Sequence, residues 1–318
     1  MQLQRAFHRV YSILLNTNVS TSLPCSYSIR LKHSKEELNE HKAKIMGRGL
    51  PEKRPLPGVK NIILVASGKG GVGKTTTAVN LACAMKVIEP DKEIGLLDAD
   101  VFGPSVPLMM NISGEPMLND DHLIEPLLNY GVKCMSMGLL VSGENAVVWR
   151  GLMVMQALDR LTRHVAWGPL DCLVVDTPPG TGDTHLSLAQ NLPIDGALVV
   201  TTPQSAALQV TKRGVNMFEK LKVPIIGMVE NMSHAICQAC GSKNYVFGNE
   251  TKQTAEQMGL DIIESFEVDH NMSECINSGK PAIYALPDSI HAEKYRQLAN
   301  KVFKYIENKD KERVKAKE

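Results

Sequence analysis

The stretch that most constrains this chain is Gly68-Lys69-Gly70-Gly71-Val72-Gly73-Lys74-Thr75, set between the apolar run Asn61–Ser67 and the Ala/Leu/Met-rich stretch Thr76–Met85. The first flank is apolar and rich in β-branched residues. The second carries Ala78, Leu81, Ala82 and Met85 at helical spacing, so the order is strand, glycine-rich turn, helix. Glycines let successive backbone N–H groups and a helix N-terminus converge on one anion, which suits the α- and β-phosphates of a nucleotide. Lys74 then reaches the β/γ-phosphates and Thr75 offers its hydroxyl to Mg²⁺. The turn predicts a P-loop, with Gly68 to Thr76 as the nucleotide-binding segment.

Apolar, strand-like runs recur after it: Glu93–Asp100, Val132–Met137, Asp171–Thr177, Gly196–Thr202, Pro224–Asn231 and Asp261–Phe266. Between them Leu152–Val165 puts Val154, Leu158, Leu161 and Val165 on one helical face, and Ala206–Leu221 is similarly patterned. Strands alternating with helices predict an α/β fold with a mostly parallel central sheet covered on both faces. The final helix, about Ile290–Ile306, carries Tyr295, Leu298, Val302 and Ile306 as a stripe. Its acids and modest apolar bulk favour packing on the sheet over membrane binding.

The termini differ from this domain. Residues 1–35 hold five Arg or Lys and no acid, and Leu3, Phe7, Val10 and Leu14 fall at helical spacing. This reads as a mitochondrial transit peptide, with a disordered or interfacial helix as the alternative. Residues 36–60 read as a linker, 61–307 as the nucleotide domain, and 308–318 as a charged, solvated tail. A formal charge of +1 makes no case for nucleic acid or an anionic membrane as a bulk partner. No apolar run approaches the length of a membrane span.

Two acidic strand ends complete the site. In Leu173-Val-Val-Asp176 an apolar strand ends on the acid that would meet Mg²⁺, and the Pro- and Gly-rich Thr177–Asp183 after it suits a switch loop. In Leu96-Leu-Asp-Ala-Asp100 a carboxylate faces the crevice at the carboxyl ends of the strands.

Seven cysteines are scattered except for Cys237-Gln-Ala-Cys240. Cys83, Cys134 and Cys172 lie in apolar contexts and are expected in the core. One C-x-x-C supplies half of a tetrathiolate set, and a two-fold dimer axis through it supplies the rest. Zinc with His234 and Cys275, a redox dithiol and inert surface thiols are the alternatives.

Lys69, directly after the first glycine, makes the P-loop resemble the deviant Walker A of the SIMIBI ATPases. With Asp98-Ala-Asp100, Asp176-Thr-Pro-Pro-Gly-Thr-Gly-Asp183, Asn231 and Cys237/Cys240, residues 60–290 resemble the Mrp/nucleotide-binding-protein family. That resemblance implies a nucleotide-sandwich homodimer in which Lys69 reaches the partner's ATP, Asp100 orients the attacking water and Asn231 reads adenine. It also implies a labile [4Fe–4S] cluster bridging two Cys237/Cys240 pairs. With the leader and the stretches Ile45–Pro51 and Leu127–Gly131, the chain is similar to the family's mitochondrial branch. The implied role is a matrix carrier delivering clusters to apo-proteins of respiratory complex I, with slow ATP hydrolysis left open. A ParA/MinD-like positioning ATPase without a cluster is the alternative. Phe266-Glu-Val-Asp-His270 departs from the I-P-L-type segment of many relatives.

Overall fold

The computed structural model describes residues 53–140 and 151–315. The expected leader and most of the expected linker lie outside these residues.

The order begins β1 (Val59–Ser67), α1 (Lys74–Ile88), β2 (Ile94–Asp98), α2 (Val106–Met109), β3 (Leu127–Asn129), β4 (Val132–Ser136), α3 (Gly151–Arg163) and β5 (Leu170–Asp176). It continues through α4 (Asp183–Asn191), β6 (Gly196–Thr201), α5 (Ser205–Lys220), β7 (Ile225–Glu230), the short β8 (Ala235–Ile236) and β9 (Lys243–Asn244), and α6 (Thr251–Gln257). The last elements are β10 (Ile262–Ser265), α7 (His270–Asn277), α8 (Ala282–Ala285) and α9 (Ile290–Lys315).

All seven expected strands are present. Together with β3 they form one eight-stranded sheet in the order β10-β7-β6-β1-β5-β2-β4-β3, parallel throughout except for β3, which pairs antiparallel with β4 at the edge. Central strands of such a sheet must be apolar on both sides, and β1 shows it residue by residue. Ile63 and Val65 enter the core beneath α1 and α9, whereas Ile62, Leu64 and Ala66 enter the core beneath α3 and α4. Val154, Leu158, Leu161 and Val165 are all buried in that second core. Cys83, Cys134 and Cys172 are buried as expected.

In-register pairing fixes the chemistry at one end of the sheet. Val65 lies opposite Asp176, and Asp98 lies opposite Asp176 on the other side. The P-loop and both acidic strand ends therefore meet at the carboxyl edge, where open α/β sheets bind ligands. Phe266, in the segment that departs from the family pattern, is buried and stacks on Tyr295 with ring centroids 4.4 Å apart. Asp269 in the same segment caps α7 by accepting from Asn271 N–H.

The tail differs from expectation. The stripe Tyr295, Leu298, Val302 and Ile306 is buried on the sheet, but α9 does not end there and runs to Lys315. The reason is electrostatic. Asp195 is 1% exposed, and Lys309 and Arg313 from the extra turns both pair with its carboxylate. The strand β1 also starts two residues before the expected boundary, and Leu56 ahead of it is already buried. No helix among the described residues is long and apolar enough to cross a membrane.

Removing residues 308–318 strips Asp195 of both cations and leaves it the Ile62 N–H, which donates to Oδ2 at 2.8 Å. Stranding a buried charge costs several kcal/mol, discounted here because Arg313 is partly exposed. The truncated protein is expected to be about 2 kcal/mol less stable in urea unfolding. An unchanged midpoint would show that 308–315 carry no structural load.

Candidate nucleotide site and cysteine hairpin

Positive backbone angles shape the P-loop. Gly71 has φ 77° and Gly73 φ 88°, left-handed values that cost a residue with a Cβ roughly 1 kcal/mol or more. Gly68 serves a different need, since a Cβ there would lie 2.6 Å from the backbone nitrogen of Thr211 in α5. This close approach lets β1 end against α5 and turns Lys69 outward. Its exposed ammonium lies 3.4 Å from Gln204 Oε1 at the start of α5.

Asp176 sits beneath the first turn of α1. Lys74 Nζ lies 2.5 Å from its Oδ1, and the Thr75 hydroxyl donates to its Oδ2 at 2.6 Å. Burial holds this carboxyl above its ordinary value in spite of the Lys74 ammonium and the Thr75 hydroxyl. The acid proposed for Mg²⁺ and the two side chains proposed for phosphate and metal thus form one cluster. Lys74 and Thr75 line a cavity of about 330 Å³ together with Lys69, Asp100, Pro179 and Met232, and Asp176 lies fully buried behind them.

Asp98 organises the neighbouring loop. It is fully buried and accepts from the Ser136 hydroxyl at 2.9 Å and from the N–H groups of Asp100 and Val106 at 3.1 and 3.3 Å. These bonds place Asp100, two residues beyond the strand, on the cavity wall. Burial, and then the charge of Asp176, raise the Asp98 pKa to about 7. Ser136, which no motif signalled, is the side chain that steadies it.

The loop after Asp176 is tied back to the P-loop strand. Thr177 N–H and hydroxyl both donate to Val65 O, and Gly180 N–H donates to Ser67 O at 2.8 Å. His185 of α4 meets the Thr177 hydroxyl at 3.0 Å. Burial, and then the Lys74 charge, lower its pKa to about 4, so near neutral pH the ring is uncharged.

Asn231 occupies an unexpected place. Its side-chain amide donates to Val72 O at 2.9 Å and its N–H donates to Thr201 O at 2.7 Å, so it buttresses the P-loop from β7. The neighbour Met232 lines the cavity instead, with φ 56°, a value uncommon for a residue with a side chain. Sequence reading missed Met232 because a methionine at a strand end carries no chemical signal.

Four residues beyond Asn231 the chain enters the hairpin of β8 and β9, where Ala235 pairs with Asn244 and Ile236 with Lys243. Cys237 and Cys240 lie in its turn and are both exposed. Cys237 N–H donates to Ser242 O at 2.9 Å, and Gly241 N–H returns to Cys237 O at 2.8 Å. The Ser242 hydroxyl, its backbone and the Cys237 thiol hold the Cys240 thiol below its ordinary value. Two exposed thiols on one turn, that of Cys240 acidified, suit a thiophilic metal group. The zinc alternative finds no set within one chain. Cys275 is buried in α7, the His234 Nδ1 is engaged by the Ser233 hydroxyl at 2.9 Å, and no three His, Cys, Asp or Glu gather for a metal among the described residues.

The raised pKa of Asp98 predicts a pH dependence. The folded protein keeps this proton between about pH 4 and 7 while the unfolded chain has lost it, so the stabilisation is full below about pH 4 and lost as pH rises through 7. Relative to Asp98→Asn, the native chain is expected to lose about 4 kcal/mol between pH 4 and 8, read from urea midpoints. A constant difference across that range would contradict it.

Comparisons with known proteins identify the family. Residues 58–303 match the family model described as "ParA: NUBPL iron-transfer P-loop NTPase". The iron-sulfur cluster transfer protein NUBPL of Mus musculus is 47% identical over 86% of this chain and 86% of its own. The Arabidopsis thaliana "iron-sulfur protein required for NADH dehydrogenase, mitochondrial" is 51% identical over 81% of this chain and 83% of its own. Among solved structures, a nucleotide-binding protein from Archaeoglobus fulgidus in complex with ADP superposes with a TM-score of 0.61 at 33% identity, covering 70% of this chain and 88% of that one. The P-loop with its second lysine, the two acidic strand ends and the cysteine hairpin therefore stand in a chain that belongs to the NUBPL iron-transfer P-loop NTPase family.

Proposed function

We propose that this protein is an ATP-binding carrier that takes up a [4Fe–4S] cluster as cargo between two copies of the chain and hands it to apo-proteins. The observation that carries the reading is the exposed Cys237/Cys240 pair, on a turn reached six residues after the side chain that holds the P-loop carbonyl. One chain offers two thiolates where a cubane cluster takes four, and a two-fold related copy supplies the others. The hairpin is fit to meet such a copy. Ile236, Tyr245, Val246 and Val268 around the cysteines are 43–58% exposed, an apolar rim of the kind interfaces cover.

At the other site MgATP binds over residues 68–76, with Lys74 on the β/γ-phosphates and Thr75 and Asp176 toward the metal. Asp100 orients the attacking water. Lys69, exposed at the cavity mouth, reaches the partner's nucleotide, and hydrolysis serves as a slow timer of cargo release. Asn231 commits its amide nitrogen to Val72, which leaves its amide oxygen to accept from an adenine amino group. Nucleotide state then bears on the cargo through one short path, from Val72 through Asn231 and Met232 to the hairpin. Ser233 N–H is anchored on Phe266 O and Val268 N–H on His234 O, so movement at Asn231 is not dissipated in a slack loop.

By kinship with the Arabidopsis relative, whose name gives it a role for mitochondrial NADH dehydrogenase, the recipients are complex I subunits. The acid-free composition of residues 1–35 supports a mitochondrial address, and the matrix is the compartment of this reading.

Anaerobic reconstitution tests the cargo. About four iron and four sulfide per dimer are expected, lost together in Cys237→Ala/Cys240→Ala, and cluster uptake by that double variant would overturn the reading. Lys69→Ala is expected to bind ATP within about two-fold of the native protein while losing at least about ten-fold in ATP-dependent dimerisation, measured by mass in solution. Equal dimerisation would show that Lys69 does not cross between subunits.

A further inference from the structure

Ser242 is the one residue whose backbone and side chain engage both cysteines. Its carbonyl accepts from Cys237 N–H at 2.9 Å, and its hydroxyl oxygen lies 3.1 Å from the Cys240 sulfur. It immediately precedes β9, whose Lys243 pairs with Ile236 of β8. Gly241, in the left-handed region at φ 71°, turns the chain so that Ser242 comes back beside the pair. With the backbone fixed on both sides, only the χ1 and hydroxyl rotors remain to be ordered, and a single hydrogen bond suffices to order them.

We infer that Ser242 is a positioning residue for the cargo: its hydroxyl donates to the Cys240 sulfur and sets how firmly the cluster is held. The inference rests on the carrier reading above. A cluster-bound thiolate carries no proton, so the hydroxyl is the donor of this pair whenever cargo is present. Hydrogen bonds to cluster sulfurs withdraw charge from the metal–thiolate bonds, favour the reduced state and raise the reduction potential. In a carrier that must both hold and release, such a bond adjusts the balance without replacing a ligand. By symmetry the two-fold copy makes the same bond, so each cluster receives it twice.

The test uses the full chain as the native protein, Ser242→Ala, Ser242→Thr and Cys237→Ala, reconstituted anaerobically with ferrous iron and sulfide. The readouts are iron and sulfide content, the rate of iron loss to a chelator, and the midpoint potential from an EPR-monitored titration. Ser242→Ala is expected to load as the native protein does, to lose iron about ten-fold faster and to shift to a more negative midpoint. Ser242→Thr keeps the hydroxyl and restores both values. Failure of Ser242→Ala to load, restored by Ser242→Thr, supports the same role in a stronger form. Ser242→Ala with native loading, release and midpoint overturns the inference and leaves the carrier reading standing. Loading by Cys237→Ala equal to the native protein overturns the carrier reading, and this inference with it.

Discussion

The structure depends on one buried carboxylate. Asp176 receives Lys74 and Thr75 from the first turn of α1, lies in register with Val65 of the P-loop strand and Asp98 of β2, and opens the Pro- and Gly-rich loop Thr177–Asp183. A charge placed so deep is tolerated only with close partners. That requirement fixes the first turn of α1 against the end of β5, and with it the position of every other group at the cavity. The apolar strands on either side keep the dielectric low enough for such pairings to matter.

The cysteine hairpin obeys different physics. Its two strands are two residues each, it has no apolar interior of its own, and its thiols face outward. Its fixed points are the bonds to the β10–α7 connection and its covalent continuity with Asn231. A rigid P-loop and a lightly held cysteine turn thus share one segment, an asymmetry that suits the carrier reading proposed above.

Most of the frame was legible in the sequence because buried parallel strands announce themselves as apolar runs and the P-loop permits few substitutes. The strand ends at Asp98 and Asp176 could be read for the same reason. What escaped were elements whose formation depends on distant partners. The three-residue β3 exists by pairing with β4, α4 begins inside a loop motif at Asp183, and the last turns of α9 are stabilised by Asp195, more than a hundred positions away. In the site, Lys69, Lys74, Thr75 and Asp100 line one cavity. Asn231 also holds the P-loop, a contact its residue type did not announce, because a side-chain amide one residue beyond a strand end reaches whichever backbone carbonyl the sheet order puts beside it. Met232, Ser136 and Ser242 gave no signal, their roles being set by geometry alone.

The shortness of β8 and β9 has a kinetic consequence. Local opening of a hairpin held by so few bonds costs far less than global unfolding, so the cysteine turn can part from its surroundings while the eight-stranded sheet stays intact. On the carrier reading proposed above, exchange of the cargo is a matter of segmental breathing, and a recipient competes only with the hairpin and never with the fold.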